Sequence, residues 1–270
     1  MLRSLPGLLC FLIFATTSRA GSVRYQMNCD LGKGTVQVKK TETYSVILSP
    51  SQNACHVEVL DAQQKSVFTY GALGMQVFVG NIATTDDGPS AVIQADGSPE
   101  SLFVVSLGRH ARLLKTIENA YGFWLQKDCD GKVRIWTADG AFQDDPDLRD
   151  VYHNDLFTPD VVLEMRGDHL IDATAECREY FDQEISSLKS RISEREFENF
   201  RANRIADDFR RGQVKGYILK LAFCYLYSGR EQEAKDFIDR VWPSNDVARL
   251  WQSITALRSD GVLRNTTQDR

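Results

Sequence analysis

A chain of 270 residues with 43% hydrophobic and 26% charged residues can bury a sizeable core and is about two domains in size. That balance excludes a long disordered or low-complexity polymer. The formal net charge of -5 disfavours nucleic acid and anionic lipid as partners, and no Lys/Arg cluster with interleaved aromatics opposes it.

Residues 1–20 have the pattern of a secretory signal peptide. Arg3 gives a basic start, "LLCFLIFATT" is a short apolar run, and Ser18 and Ala20 occupy the small-residue positions, which places cleavage between Ala20 and Gly21. The run is shorter than the ~20 apolar residues of a spanning helix. Cleavage removes Arg3 and Arg19 and leaves all 37 acidic residues, so the net charge moves to -7. The mature chain is expected to be soluble, secreted or periplasmic, and without a transmembrane segment.

Five cysteines remain: Cys29, Cys55, Cys129, Cys177 and Cys224. Export makes disulfides expected, and an odd count leaves at least one thiol or an intermolecular bridge. Cys29 and Cys55 bracket an early strand pair and are the first choice for a bridge. Cys129 with Cys177 is the second. Cys224 lies in the apolar run "LKLAFCYLY" and reads as a small buried hydrophobe. With no CxxC, redox centres and zinc ribbons lack their usual spacing.

The segment 21–172 reads as a β domain. Eleven short runs rich in Val, Ile, Phe and Tyr alternate with polar or Gly-bearing turns: "TVQVKK", "YSVILS", "CHVEVLD", "SVFTYG", "MQVFVGNI", "SAVIQA", "LFVVSL", "RLLKTI", "GFWLQK", "VRIWTA" and "VVLEM". Such spacing predicts meandering antiparallel sheets. "AFQDDPDLRDVYHNDLFTP" is the longest irregular stretch.

The segment 173–259 reads as helical. Phe181, Ile185, Leu188 and Ile192 share one helix face. Ser193 and Glu196 form a capping box that starts a second helix, carried by Phe197, Phe200, Ile205 and Phe209 to a stop at Gly212. "VKGYILKLAFCYLYSG" is the most apolar helix and ends at Gly229, followed by a second capping box from Ser228 to Glu231. Asp236 and Arg240 stand at i, i+4 on the next helix, which Pro243 ends. Ser244 or Asn245 is placed to cap a last helix with Leu250, Trp251, Ile254 and Leu257. Residues 260–270 form a polar, frayed tail. The fold class is therefore α+β, with antiparallel sheets packed against a C-terminal helical bundle. No Gly/Ser or Pro-rich linker separates the halves.

Three acidic, turn-prone segments precede apolar strands: "TTDDGPSAVIQ", "KDCDGKVRIW" and "NDLFTPDVVLE". They resemble the FG-GAP/VCBS repeat of integrin-type β-propellers, whose loop reads D-x-D-G-x-x-D before an apolar strand. The resemblance implies propeller-like or partially propeller-like sheets and a calcium loop. Asp128 and Asp130 are the metal candidates it leaves. Each loop departs from the pattern. Ser90 stands where the first would close with Asp, the second has no carboxylate between Gly131 and Trp136, and the third keeps Asp155 and Asp160 without the Gly. Calcium takes about six to eight oxygen ligands, which no single loop supplies. The plainer reading is a tight turn in which Asp caps the backbone and Gly takes positive φ.

"IWTADGAF", a His-bearing acidic loop, "DVVLEMRGDHLIDAT" and a helix opening with "EYF" also resemble a group of exported bacterial proteins with degenerate repeats of this kind and no assigned activity. Leu221, Ala222, Tyr225, Gly229 and Ala234 resemble the small and aromatic positions of one tetratricopeptide hairpin. No second copy follows, so an ordinary helical hairpin is the simpler reading.

Catalytic signatures are sparse: no GxSxG, no HExxH and no phosphate loop. His56, His110, His153 and His169 have no ligand spacing. Cys55 and His56 are strand neighbours and point to opposite faces. Asn265 in "NTT" fits a glycan acceptor. Trp124 and Trp136 either face a ligand groove or close a β core. The expected function is an exported binding or interaction protein whose partner is a protein or glycan of the cell envelope. The alternatives are a secreted hydrolase using Asp155 or Asp160 beside His153, and a secreted enzyme inhibitor with the Cys29/Cys55 hairpin as scaffold.

Overall fold

A computed structural model describes residues 25–82, 88–97, 100–107, 110–127, 132–142, 145, 148 and 157–266. Thirteen strands precede five α-helices, which makes the fold α+β with open sheets. The strands are β1 (Tyr25–Asp30), β2 (Gln37–Lys40), β3 (Tyr44–Ser51), β4 (Ala54–Asp61), β5 (Ser66–Ala72), β6 (Gly74–Gly80), β7 (Ser90–Ala95), β8 (Ser101–Ser106), β9 (Arg112–Glu118), β10 (Ala120–Lys127), β11 (Val133–Asp139), β12 (Asp160–Arg166) and β13 (His169–Asp172). All eleven runs read from the sequence are strands. The two additional ones are β1 and the four-residue β13.

The strands form three sheets. The order is β2-β3-β4-β5 in the first, β1-β6-β7-β8-β9 in the second and β10-β11-β12-β13 in the third. Apart from β1, which pairs antiparallel with β6, each sheet is a four-stranded meander in chain order. A closed propeller needs at least four such blades, so three remain an open stack.

Side-chain alternation sets the stacking. Ala91, Ile93 and Ala95 of β7, with Phe103 and Val105 of β8, share a core with Val46, Leu48, Val57 and Val59 of the first sheet. Their neighbours Val92, Leu102 and Val104 enter a second core with Phe123, Ile135 and Leu163 of the third sheet. The middle sheet is thus buried on both faces, and every residue of β7 and β8 is buried, the polar Ser90, Gln94, Ser101 and Ser106 included. The Cys29–Cys55 disulfide, with Cα atoms 6.0 Å apart, joins β1 to β4. It therefore staples the middle sheet to the first, and does not close a hairpin.

The helices are α1 (Arg178–Ser190), α2 (Glu194–Arg201), α3 (Asp208–Tyr227), α4 (Glu231–Val241) and α5 (Val247–Asp260). They extend the second core over the outer face of the third sheet, so one apolar interior runs from the middle sheet into the bundle. Phe181, Ile185, Leu188 and Ile192 are buried as their spacing requires, and the Ser193–Glu196 capping box is present.

The structure corrects four details. The second helix ends at Arg201, well before Gly212. Asp207 accepts from the N–H groups of Phe209 and Arg210 and starts α3, which runs through Gly212 and Gly216. Each glycine costs a helix about 1 kcal/mol, which the burial of α3 along most of its length outweighs. Ser228 makes no capping box with Glu231, because its hydroxyl donates back to the carbonyls of Cys224 and Tyr225. Asp246, not Ser244 or Asn245, is the residue before α5. Residues 261–266 of the tail are docked, not frayed: Val262 is fully buried in a 3-10 turn at Val262–Asn265.

Candidate functional site

The outer face of the third sheet, under the helices, carries the chemistry the described residues offer. Pairing in register places Trp124, Trp136 and Val162 in one row, Arg134 and Glu164 in the next, and Ala138 with Asp160 on the other side. All of these side chains share the helix-facing side because the register is antiparallel and alternates with period two.

The strip around Asp160 is a closed polar cluster. Lys220 of α3 donates to the Asp160 carboxylate at 2.9 Å and to the Thr158 carbonyl at 2.7 Å. Tyr180 of α1 donates to the same Asp160 oxygen at 3.3 Å. Burial, then the Asp160 charge, pushes the Tyr180 phenol well above its ordinary range. Cys224, one turn after Lys220, is buried, and burial pushes its thiol up to about 12. A thiol so protonated is a poor nucleophile, so Cys224 packs as the expected small hydrophobe.

A second cluster surrounds Arg134, whose side chain is fully buried. Its Nε and Nη2 donate to Glu164 Oε2 at 3.0 and 2.7 Å, and Nη2 also reaches Glu176. Arg166 Nε donates to the other Glu164 oxygen at 2.8 Å. The Arg166 hydrogen bond first, and Arg134 with it, holds the Glu164 carboxyl down at about 2 despite its burial. Cys177 Sγ lies 3.9 Å from Arg134 Nη1. Both clusters satisfy themselves internally, as buried ion pairs must.

Between the clusters lies an aromatic strip. Trp136 is buried, packs edge-on against Tyr180 at 4.8 Å, and stacks with Trp124 at 6.0 Å and 26°. Its Nε1 is buried with no hydrogen-bond partner among the described residues. Trp124 is 37% exposed, and so is Tyr121. Three positions apart on a regular strand, they would face opposite ways. A β-bulge between Tyr121 and Phe123 changes that: Tyr121 pairs with Ala138 and Trp124 with Trp136, two residues apart on β11. Gly122 makes the bulge at φ +63°. Its carbonyl accepts from the Thr137 hydroxyl at 2.6 Å, and its N–H is bonded by the Glu100 carboxylate. The bulge re-aims Tyr121 onto the Trp124 side, on β10, an edge strand of the sheet.

Asp128, Asp130, Cys129, His153 and Asp155 lie outside the described residues. Among the described residues no group of three or more His, Cys, Asp or Glu is placed to hold a metal ion. Gly88 has φ +114°, the conformation the turn reading requires. His56, His110 and His169 are exposed and dispersed, and Cys55 is buried with His56 facing out. Asn265 uses its amide nitrogen to donate to the carbonyls of Glu118 and Val262, both at about hydrogen-bond length, 3.1 and 3.0 Å. A glycan on that nitrogen would take one of its two hydrogens and displace at least one of these bonds. No helix among the described residues is long and apolar enough to cross a membrane.

The sequence named Asp160, Trp124 and Trp136 but not the partners of Asp160. Lys220 and Tyr180 come from helices 60 and 20 residues away, which no local pattern reveals. An isolated Gly within a strand run was the available signal for the bulge. Comparison with family models, with curated proteins and with solved structures returned no match.

Proposed function

We propose that the chain is an exported binding protein whose ligand platform is the Tyr121–Trp124 strip, and that its ligand is a neutral sugar ring of a cell-envelope glycan. The observation that carries this reading is the Gly122 bulge, which turns two exposed aromatics onto one face of an edge strand, backed by Trp136. Aromatic faces stack on flat apolar surfaces, and the C–H face of a sugar is such a surface. Nucleobases, the other common stacking ligand, are disfavoured by the acidic charge.

The two ionic clusters favour binding over hydrolysis. Asp160, the described member of the hydrolase set, is held by Lys220 and Tyr180 and is not poised beside a free face. Export is supported by the N-terminal pattern and by the Cys29–Cys55 disulfide. Kinship with FG-GAP/VCBS repeats is supported by position. The first Asp/Gly turn lies between β6 and β7 and the second between β10 and β11, each joining the first two strands of a meander.

Affinity electrophoresis of the mature protein through gels containing neutral polysaccharides tests the reading. Trp124→Ala and Tyr121→Ala are each expected to weaken retardation about tenfold, the loss of roughly one aromatic contact, without lowering the melting temperature. Retardation unchanged in both variants, or none with any neutral glycan, rejects it.

A further inference from the structure

A concavity lies in the helical bundle, lined only by residues of α2 to α5 and the turns between them. It has a volume of about 450 Å³, within the ~300–1,000 Å³ span of small-ligand pockets. One wall is the start of α3, where Asp208, Arg211, Gly212 and Lys215 recur at helical spacing. The opposite wall is the α4–α5 turn with Trp242, Pro243 and Asp246.

The floor is apolar and fixed. Phe200 and Trp242 pack edge-to-face at 5.2 Å, and Ile205 lies beside them. Arg201 at the end of α2 donates to the Arg240 carbonyl at 2.8 Å, which ties the α2 terminus to the end of α4. The rim carries both signs. The Arg211 guanidinium is aimed in advance, because Nε and Nη2 donate to the Ile205 carbonyl at 3.2 and 2.7 Å. Its Nη1 is only 3.8 Å from Asp208, whose carboxylate is 85% exposed, so that pair is weak and open to exchange. Asp246 precedes α5 without capping it, and its carboxylate lies 3.4 Å from Arg249.

We infer that this cleft binds a short peptide segment in which an apolar side chain stands between a cationic and an anionic one. The apolar group would fill the Phe200–Trp242–Ile205 floor. The carboxylate would take the free direction of Arg211, bidentate recognition being the strength of a guanidinium, and the cation would lie against Asp208 and Asp246. A purely anionic or purely cationic segment meets like charge on the rim, so the mixed rim selects by repulsion as well as attraction. Because the floor and Arg211 are already ordered, little is lost in fixing them on binding. This site is separate from the aromatic strip, and neither reading depends on the other.

The test is titration of ¹⁵N-labelled mature protein with two blocked tripeptides, one of lysine, phenylalanine and glutamate, the other of glutamine, phenylalanine and glutamine. The charged peptide should give saturable shifts at the Trp242 indole and the Arg211 side chain, about tenfold tighter than the neutral one. Arg211→Glu and Asp246→Lys should each remove that preference while leaving the weak neutral binding, which also reports an intact cleft. Equal binding of the two peptides, an unchanged preference in both variants, shifts centred on Tyr121 and Trp124, or no saturable shift at millimolar concentration would each overturn the assignment.

Discussion

Asp139→Asn separates the charge of a buried carboxylate from its hydrogen bonds. Asp139 ends β11, fully buried, and accepts from the Tyr227 hydroxyl at 2.7 Å and from the N–H groups of Val262 and Ala141 at 3.2 Å each. Burial raises its pKa from 3.8 to about 6, against the lowering pull of those three bonds. A raised folded-state pKa means that the fold takes up a proton before the unfolded chain does. Stability therefore rises as pH falls through about 6, and the gain is complete below about 4. Two units amount to about 3 kcal/mol in full, of which about 1 kcal/mol falls between pH 7 and pH 5. The amide keeps an acceptor for the two N–H groups and cannot ionise, and the Tyr227 hydroxyl can rotate to accept from it. Urea midpoints of parent and variant at pH 7 and pH 5 isolate the contribution, since other carboxyls cancel in the difference. The parent should gain about 1 kcal/mol more than the variant on acidification, and the variant should be at least as stable as the parent at pH 7. A variant that keeps the parent's full pH slope would refute the reasoning.

Arg134→Leu leaves the buried Glu164 carboxylate to Arg166 and Lys132 at its edge and should cost about 3 kcal/mol in urea unfolding, with part recovered in an Arg134→Leu/Glu164→Leu double variant. Glu164 titrates with the opposite sign to Asp139: its pKa lies near 2, so its stabilisation is present above about 4.5 and about 3 kcal/mol is lost as pH falls to 2, an effect absent from Glu164→Gln. The Cys29→Ser/Cys55→Ser double variant opens a loop of 26 residues and should lose about 3.5 kcal/mol by chain entropy, read as a lower melting temperature. Gly122→Val puts a branched side chain at φ +63° and should relax the bulge, lowering both stability and glycan retention, whereas Trp124→Ala lowers retention alone.

Much of the β half was legible because its physics is local. Val-rich runs between turn residues mark strands, and alternation marks faces, as "HVEVLD" shows in β4. Strand β13, HLID, pairs two apolar residues between two polar ones and lacks the alternation that marked the equally short β2. The helical half misled at Gly212, where propensity suggested a stop and burial of α3 outweighed it. Asn265 misled differently: the acceptor motif is real as sequence, but the side chain is committed to the β9–β10 turn. The candidate site was the least legible. Arg134 and Glu164 sit in runs that read as ordinary strands, and only the pairing register brings their charges together. Register depends on which strands meet, and no single stretch encodes it.

The docked C-terminal turn bears on how the molecule carries load. The helical bundle enters from the third sheet through Thr174, whose hydroxyl accepts from Val162 N–H at 3.0 Å. It returns to the same region through Val262 on Asp139 and through Asn265, which bonds both backbone groups of Glu118. The bundle is thus buckled at both ends, with Gly261 kept bare because a Cβ there would lie 2.3 Å from the Asp139 carboxylate. Force applied at the C-terminus meets this buckle before it reaches any helix. The five helices behind it are shielded from peeling one by one, and the buckle sets the threshold at which the bundle comes away from the sheets.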